Sequence, residues 1–242
     1  MTFAAGGAIR RFYGSVAVEA FAEGFAVTLD GRQARSAQAA PLVLPTRSLA
    51  EAVADEWRSQ TETIESESMP LTRLAYEALD RASTECDRIV EAIMGFAGTD
   101  HLCYRASEPP ALVERQEAAW QPILDWVSEA YGARLRVTSG VIPVEQPAGA
   151  IFALRRVLEA RDAFALVAIA SAARAAGSLV IALALASGRI GAEDAFGLSQ
   201  LDESFQMERW GTDAEAIAPR EGTRANIRAA AAFLSHLGVA SR

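Results

Sequence analysis

Lysine is missing from this 242-residue chain, so all 23 basic residues are arginines. That absence excludes a Walker-type phosphate loop, a Schiff-base lysine for pyridoxal phosphate or aldol chemistry, and a kinase-type lysine. Together with the abundance of alanine, it is more simply explained by a GC-rich genome than by a function. Cysteine and histidine are almost as scarce, with only Cys86, Cys103, His101 and His236 present. Neither cysteine belongs to a C-x-x-C pair, which favours free thiols in a reducing compartment over a disulfide scaffold. A zinc site built on Cys86, His101 and Cys103 would need a fourth ligand that the sequence does not nominate. Positive charge is in deficit, with a net charge of -8 and a pI near 5.0, which argues against a general nucleic-acid or anionic-membrane binder. Long apolar runs are lacking too. The segment from Asp162 to Gly188 is divided by Arg174 and Gly177, and its unbroken run Leu179 to Ala186 would rise only about 12 Å as a helix against roughly 30 Å of bilayer core. No membrane insertion is expected. At the N-terminus, Arg10 and Arg11 follow a weak apolar run containing Gly6-Gly7, the wrong order for a secretory signal and no context for a phosphate loop. The expected location is the cytoplasm.

What is present is an ordinary globular balance, 51% hydrophobic and 22% charged, in a chain long enough for a large core. The pattern predicts an α+β fold in two parts, a small antiparallel sheet with helices over residues 1–82 and a mainly helical domain over residues 83–242. Strand signals run from Arg11 to Val18 and from Phe25 to Leu29. Asp30-Gly31 supplies a type I′ turn, Arg32 to Ser36 a return strand, and Pro41 to Pro45 an extended edge piece. At Thr46 the period changes. Thr46 caps a helix in which Leu49, Ala50, Val53, Ala54 and Trp57 share the face that covers the sheet. Pro70 begins a helix facing inward through Leu71, Leu74, Ala75, Ala78 and Leu79, and Thr84 starts another that ends at Gly98.

A connector from Gly98 to Ala106 leads to a long helix through Leu112, Val113, Gln116, Trp120, Ile123, Leu124 and Val127, in which Pro122 predicts a kink or a break near Ala118. Leu135 to Pro143 reads as extended, and Pro147 begins the next helix. Asp162 and Ser178 cap two buried helices joined at Gly177, and a final helix runs from about Thr223 to Leu237.

One stretch concentrates chemistry, Leu198 to Gly211. On a single helix Leu198, Leu201 and Phe205 form an apolar stripe, with Phe205 structural, while Asp202, Glu203, Gln206 and Trp210 occupy other flanks. A tryptophan beside carboxylates makes a protein-binding patch, since indoles are enriched at hot spots and a carboxylate selects an arginine. Paired catalytic carboxylates from Asp202, Glu203 and Glu208 are the competing idea, but adjacent helical residues project about 100° apart and do not flank one bond. Trp57 reads as a core anchor. Asp100-His101-Leu102-Cys103 offers an acid, an imidazole and a thiol. On an extended strand His101 and Cys103 would share a face, giving a small thiol-dependent enzyme as the alternative function.

An ordered set of short motifs resembles a known family. These are Phe12-Tyr13, Leu29-Asp-Gly-Arg32, Leu49-Ala50, Glu56-Trp57 with Gln60, and Met69-Pro-Leu-Thr72. Thr99-Asp100, Leu102-Cys-Tyr-Arg105, Gly177-Ser178, and Leu201-Asp-Glu203 with Gln206 and Trp210-Gly211 follow in order. The chain is similar to the assembly chaperones that attend the α subunit of the F-type ATP synthase head. One departure is Ser36-Ala37, where that family usually has a threonine-proline pair. The resemblance implies two domains, no catalytic activity and no cofactor. It implies a protein that binds the free α subunit and shields its β-facing surface until β displaces it, and the chain is expected to be monomeric when free. It also carries the partner-binding acid onto Glu203, beside Asp202, Gln206 and Trp210, and keeps Trp57 as a structural residue.

Overall fold

In the computed structural model, residues 9–238 are described apart from positions 22, 141, 143, 212 and 213 and the side chains at 82–84 and 214. The expectations for Gly6-Gly7, the cap at Thr84 and the extended positions 141 and 143 lie outside the described residues.

The N-terminal part holds strands β1 (Ile9–Arg10), β2 (Val16–Phe21), β3 (Gly24–Leu29), β4 (Arg32–Gln33) and β5 (Val43–Leu44), helix α1 (Arg47–Arg58) and strand β6 (Thr63–Ile64). β3 lies at the centre, antiparallel to β2 on one side and to β4 and β5 on the other. The turn at Asp30-Gly31 has φ of 49° and 75°, as the sequence predicts for two left-handed turn positions. Gly24 is required for a different reason: a Cβ there would collide with the backbone carbonyl of Leu44. α1 starts at Thr46, whose side chain accepts from the Leu49 amide, and buries Leu49, Ala50, Val53, Ala54 and Trp57. It packs across β2 and β3.

The first strand departs from expectation. Arg11 to Ser15 is irregular, and the extended residues lie on either side of it, with Ile9 opposite Ile64 in β1–β6 and β2 reaching on to Phe21. Side chains pull this segment out of a ladder. Arg11 donates to the carbonyls of Tyr13 and Gln60, while the Gly14 and Ser15 amides donate to the Asp30 carboxylate at 3.0 and 2.7 Å.

α2 (Pro70–Gly98) spans two expected helices and loses helical geometry at Glu85, where φ is -133°. Its first turn is closed by another element: Glu56 accepts from the Leu71 and Thr72 amides at 2.8 and 2.7 Å and from the Thr72 hydroxyl at 2.7 Å. A carboxylate at a helix N-terminus meets otherwise orphaned donors and the positive end of the helix dipole. Gln60, buried behind it, donates to the Glu56 carbonyl and the Ser68 hydroxyl and accepts from the Glu65 amide.

The helical part continues through β7 (Tyr104–Arg105), α3 (Pro110–Tyr131), β8 (Thr138–Ser139), α4 (Ala148–Glu159), α5 (Ala163–Ala176), α6 (Leu179–Ala186), α7 (Ala192–Ser199), α8 (Leu201–Trp210) and α9 (Ala214–Leu237). α3 runs on through Pro122, anchored by buried Trp120, Ile123, Leu124 and Val127 on both sides of it. Asp162 and Ser178 cap α5 and α6, and Gly177 turns between them at a φ of 65°. Every residue of α6 is buried, as a helix apolar on all sides requires. One apolar cluster extends from Tyr13, before β2, and Val27 in β3, through α2, α5 and α6, to Phe233 and Leu234 in α9.

Two boundaries differ from the sequence reading. α9 begins at Ala214, well before Thr223, and carries Pro219 inside it. The missing Pro219 amide forfeits one backbone bond, which burial of Ile227, Ala230, Phe233 and Leu234 farther along outweighs. The stretch Leu198–Gly211 is also not one helix, because α7 ends at Ser199 and Gln200 has non-helical φ and ψ of -116° and 24°.

Candidate partner-binding site

α8 presents two flanks with different jobs. Leu201 and Phe205 are buried and hold it to the core. Leu198 belongs to α7, where its carbonyl accepts from the Trp120 indole at 3.0 Å. Toward α3, the Gln116 side-chain amide donates to Asp202 at 2.7 Å, and Arg115 makes a two-pronged pair with Glu208 at 2.8 and 2.9 Å. That guanidinium holds the exposed Glu208 carboxyl below the usual range. Arg115 and Arg209 also lie over the Phe205 ring, at 5.3 and 4.8 Å from its centroid.

The opposite flank is open. Glu203, Gln206 and Trp210 line a groove of about 460 Å³ between α8 and the start of α9, with Met207, Pro219 and Arg220 as neighbours. Trp210 is 74% exposed, the largest aromatic surface shown to solvent among the described residues. Arg220 is held by the Ser204 hydroxyl at 2.7 Å and lies 4.9 Å from the Phe196 ring centroid. The groove therefore combines an indole, a carboxylate, an amide and a thioether on a braced helix. Arg220 adds a guanidinium to the same groove, which therefore offers an occupant both a carboxylate and a cation.

Three of the four expected contact residues, Glu203, Gln206 and Trp210, thus meet in one groove. Asp202 does not join them, since its carboxylate is turned to Gln116. Sequence reasoning missed Arg115, Met207 and Arg220. The signal for the α3 contact was Gln116 itself, a polar residue on an otherwise apolar helix face that had to find a partner once buried. Trp57 is a core residue at 3% exposure. Tyr13 packs edge-on against its ring at 5.6 Å and donates its hydroxyl to the Trp57 carbonyl at 2.7 Å.

The thiol alternative fails on geometry. Residues His101 to Cys103 form a 3₁₀ turn, not the extended strand expected, because Asp100 caps it by accepting from the Leu102 amide. Cys103 is fully buried, and burial pushes its thiol up to about 12, so the nucleophilic thiolate is out of reach near neutrality. The His101 ring packs edge-on to Trp120 at 4.9 Å. Asp100 is itself buried and structural, accepting from the Ser178 hydroxyl at 2.7 Å and the Val180 amide at 3.0 Å. Among the described residues no group of three or more His, Cys, Asp or Glu is placed to hold a metal ion.

A family model described as ATP12 chaperone protein matches residues 10–128. The crystal structure of Atp12 from Paracoccus denitrificans is 40% identical, with a TM-score of 0.90 over 94% of this chain and 98% of that one. The chain belongs to the ATP12 chaperone family. The Atu1473 protein of Agrobacterium tumefaciens is 39% identical, with a TM-score of 0.89 over 94% of this chain and 86% of its own. The mitochondrial protein atp12 of Schizosaccharomyces pombe is 24% identical over 238 residues, covering 93% of this chain and 82% of the relative. The family model stops short of α8, whereas the likeness to the Paracoccus and Agrobacterium structures covers nearly the whole chain. Among the described residues no helix is long and apolar enough to cross a membrane.

Proposed function

We propose that this chain is a non-catalytic chaperone for assembly of the F1 sector of ATP synthase. It binds the free α subunit and covers the surface destined for the β subunit until β takes its place. An exposed subunit interface is an aggregation hazard, and a cover that the true partner can displace prevents wrong association. The observation that carries this reading is the groove along α8, where Glu203, Gln206 and the exposed Trp210 stand together on a helix fixed from its other side by Arg115 and Gln116. Rigid presentation limits the ordering cost of binding, and a solvent-facing tryptophan beside a carboxylate is the composition of an interface hot spot.

In this scheme Asp202 acts by fixing α8 through Gln116, and Glu203, Gln206 and Trp210 make the contacts. The chain works as a monomer in the compartment where α is made, the cytoplasm in a bacterium. It uses no cofactor, and competition by β releases the client. Residues 1–82 and 83–242 serve as two domains, a division supported by the loss of helical geometry at Glu85 close to that boundary.

The test is co-expression of the α subunit with the wild-type chain and with Glu203→Gln and Trp210→Ala variants, followed by assay of soluble α and its co-purification. Wild type is expected to keep α soluble and bound, and each variant to lose most of both while folding normally. Variants equal to wild type overturn the assignment of the groove. Failure of the wild-type chain to retain α under gentle conditions overturns the client.

A further inference from the structure

We propose a second anchoring point on the sheet side of the molecule, an open aromatic pocket that receives an apolar side chain from an acidic segment of the client polypeptide. It rests on the reading of the chain as a chaperone and adds a contact that the groove along α8 does not supply.

The pocket encloses about 540 Å³, within the ordinary range for a formed ligand site. Tyr13, Trp57 and Tyr76 line it together with Ile9, Leu29 and Ile64. Tyr13 is fixed in place by its hydroxyl bond to the Trp57 carbonyl, by edge-on packing against Trp57, and by the Arg11 guanidinium 4.7 Å from its ring centroid. These rings, 6%, 3% and 8% exposed for Tyr13, Trp57 and Tyr76, form a fixed pocket floor that is organised before anything binds, which lowers the ordering cost. Phe12 also lines the pocket, edge-on to Tyr13 at 5.4 Å, yet is 53% exposed. Apolar surface therefore continues from the pocket to the solvent.

Charge selects the occupant. Arg32 and Arg35 line the same pocket, and among the described residues neither has a carboxylate partner. Arg35 donates to the Ala39 carbonyl. Among the described residues the one carboxylate lining the pocket, Asp30, is engaged by the Gly14 and Ser15 amides and the Ser15 hydroxyl. With no carboxylate partner among the described residues, these two guanidiniums make the pocket mouth locally positive in a chain whose net charge is -8. They favour a segment with carboxylates beside its apolar residue and repel a basic one. The motifs Phe12-Tyr13, Leu29-Asp-Gly-Arg32 and Trp57, which α8 leaves unused, all converge on this one place.

The test is a titration of the full-length chain, labelled at isoleucine and leucine methyls, with a blocked pentapeptide of one phenylalanine flanked on each side by two glutamates. The expected result is a saturable shift of the Ile9, Leu29 and Ile64 methyl signals, weakened at least tenfold by the double change Arg32→Glu and Arg35→Glu and, separately, by Phe12→Ala. The same peptide with arginines for glutamates is expected to shift nothing. No shift, equal shifts with the basic peptide, or equal affinity in the arginine variant overturns the proposal. Shifts with decanoate but not with the peptide overturn it too, by assigning the pocket to a small amphiphile. The titration contains no α subunit, so its outcome is independent of whether α is the client of the groove along α8.

Discussion

The side-chain amide of Gln116 donates to Asp202 at 2.7 Å while its carbonyl accepts from the Ala106 amide at 2.7 Å. One buried residue thus ties α3 to α8 and to the segment after β7. Gln116→Ala leaves a part-buried N–H and a half-buried carboxylate without their Gln116 partner, so a loss of about 1–3 kcal/mol in unfolding free energy is expected. Denaturant titration measures it, and capture of α should fall as well, although no contact residue has changed. A variant as stable as wild type would show that the tie carries no energy.

The two tryptophans Trp57 and Trp210 should respond to alanine in opposite ways. Trp57 is buried against Tyr13, and Trp57→Ala is expected to cost about 3–5 kcal/mol. Trp210 is 74% exposed, and its replacement should change stability by no more than about 0.5 kcal/mol while client capture is lost. Thermal melts and co-purification, run on both variants, separate the roles.

Asp100 joins the connector before α3 to the start of α6 through three donors, the Leu102 and Val180 amides and the Ser178 hydroxyl. In Asp100→Asn one acceptor oxygen becomes an NH₂ group that faces a donor. Destabilisation by about 3 kcal/mol is expected, visible as a lower unfolding midpoint. Ser178→Ala, which removes one of the three donors and the α6 cap, should cost less, about 1–2 kcal/mol.

Glu56 governs a pH effect of the less common sign. Burial raises its carboxyl above the ordinary value, against the opposing hydrogen bonds from Leu71 and Thr72. A raised acid binds its proton more tightly in the folded state. Its contribution is therefore fully present below the unfolded value and declines as pH rises through the folded one. The stability gap between wild type and Glu56→Gln should be wider at pH 4 than at pH 7. Chemical denaturation at both values measures it, and a gap that grows toward neutrality contradicts the assignment.

Cys103 should be silent to thiol reagents in the native protein. It is fully buried and its thiol is pushed up to about 12, so iodoacetamide at pH 7.5 is expected to label it only after unfolding. Peptide mass spectrometry reads the labelling site by site. Rapid native labelling would return the thiol alternative to consideration.

Much of the architecture was legible because its signals are local. Thr46, Asp162, Ser178, Gly177 and the Asp30-Gly31 turn act within a few residues of where they stand, and all behave as their chemistry dictates. The helix break at Gln200 was not legible, since neither glycine nor proline marks it. Its setting is tertiary, with Trp120 on the Leu198 carbonyl and Arg220 on the Gln200 and Ser204 side chains. The pairing of Ile9 with Ile64 joins segments far apart in sequence, for which two-residue strands carry no periodic signal. At the site, helical spacing put Glu203 and Trp210 on one line, and in the fold both face the groove, joined there by Gln206. Spacing could not say that Asp202 would face Gln116, because that depends on where α3 lies.

Most of the family-like motifs turn out to be joints: Tyr13 with Trp57, Glu56 with Leu71 and Thr72, and Asp100 with Ser178. The side chains of Tyr13, Glu56, Asp100 and Ser178 in these motifs are held by hydrogen bonds inside this chain.

The clamp of Arg115 on Glu208 leaves α8 with a division that an engineer could exploit. Leu201, Asp202, Phe205 and Glu208 fasten the helix, whereas positions 203, 206 and 210 are exposed and lie outside that fastening. The outer row is accordingly expected to accept a cassette of new residues while the scaffold that displays them stays as it is.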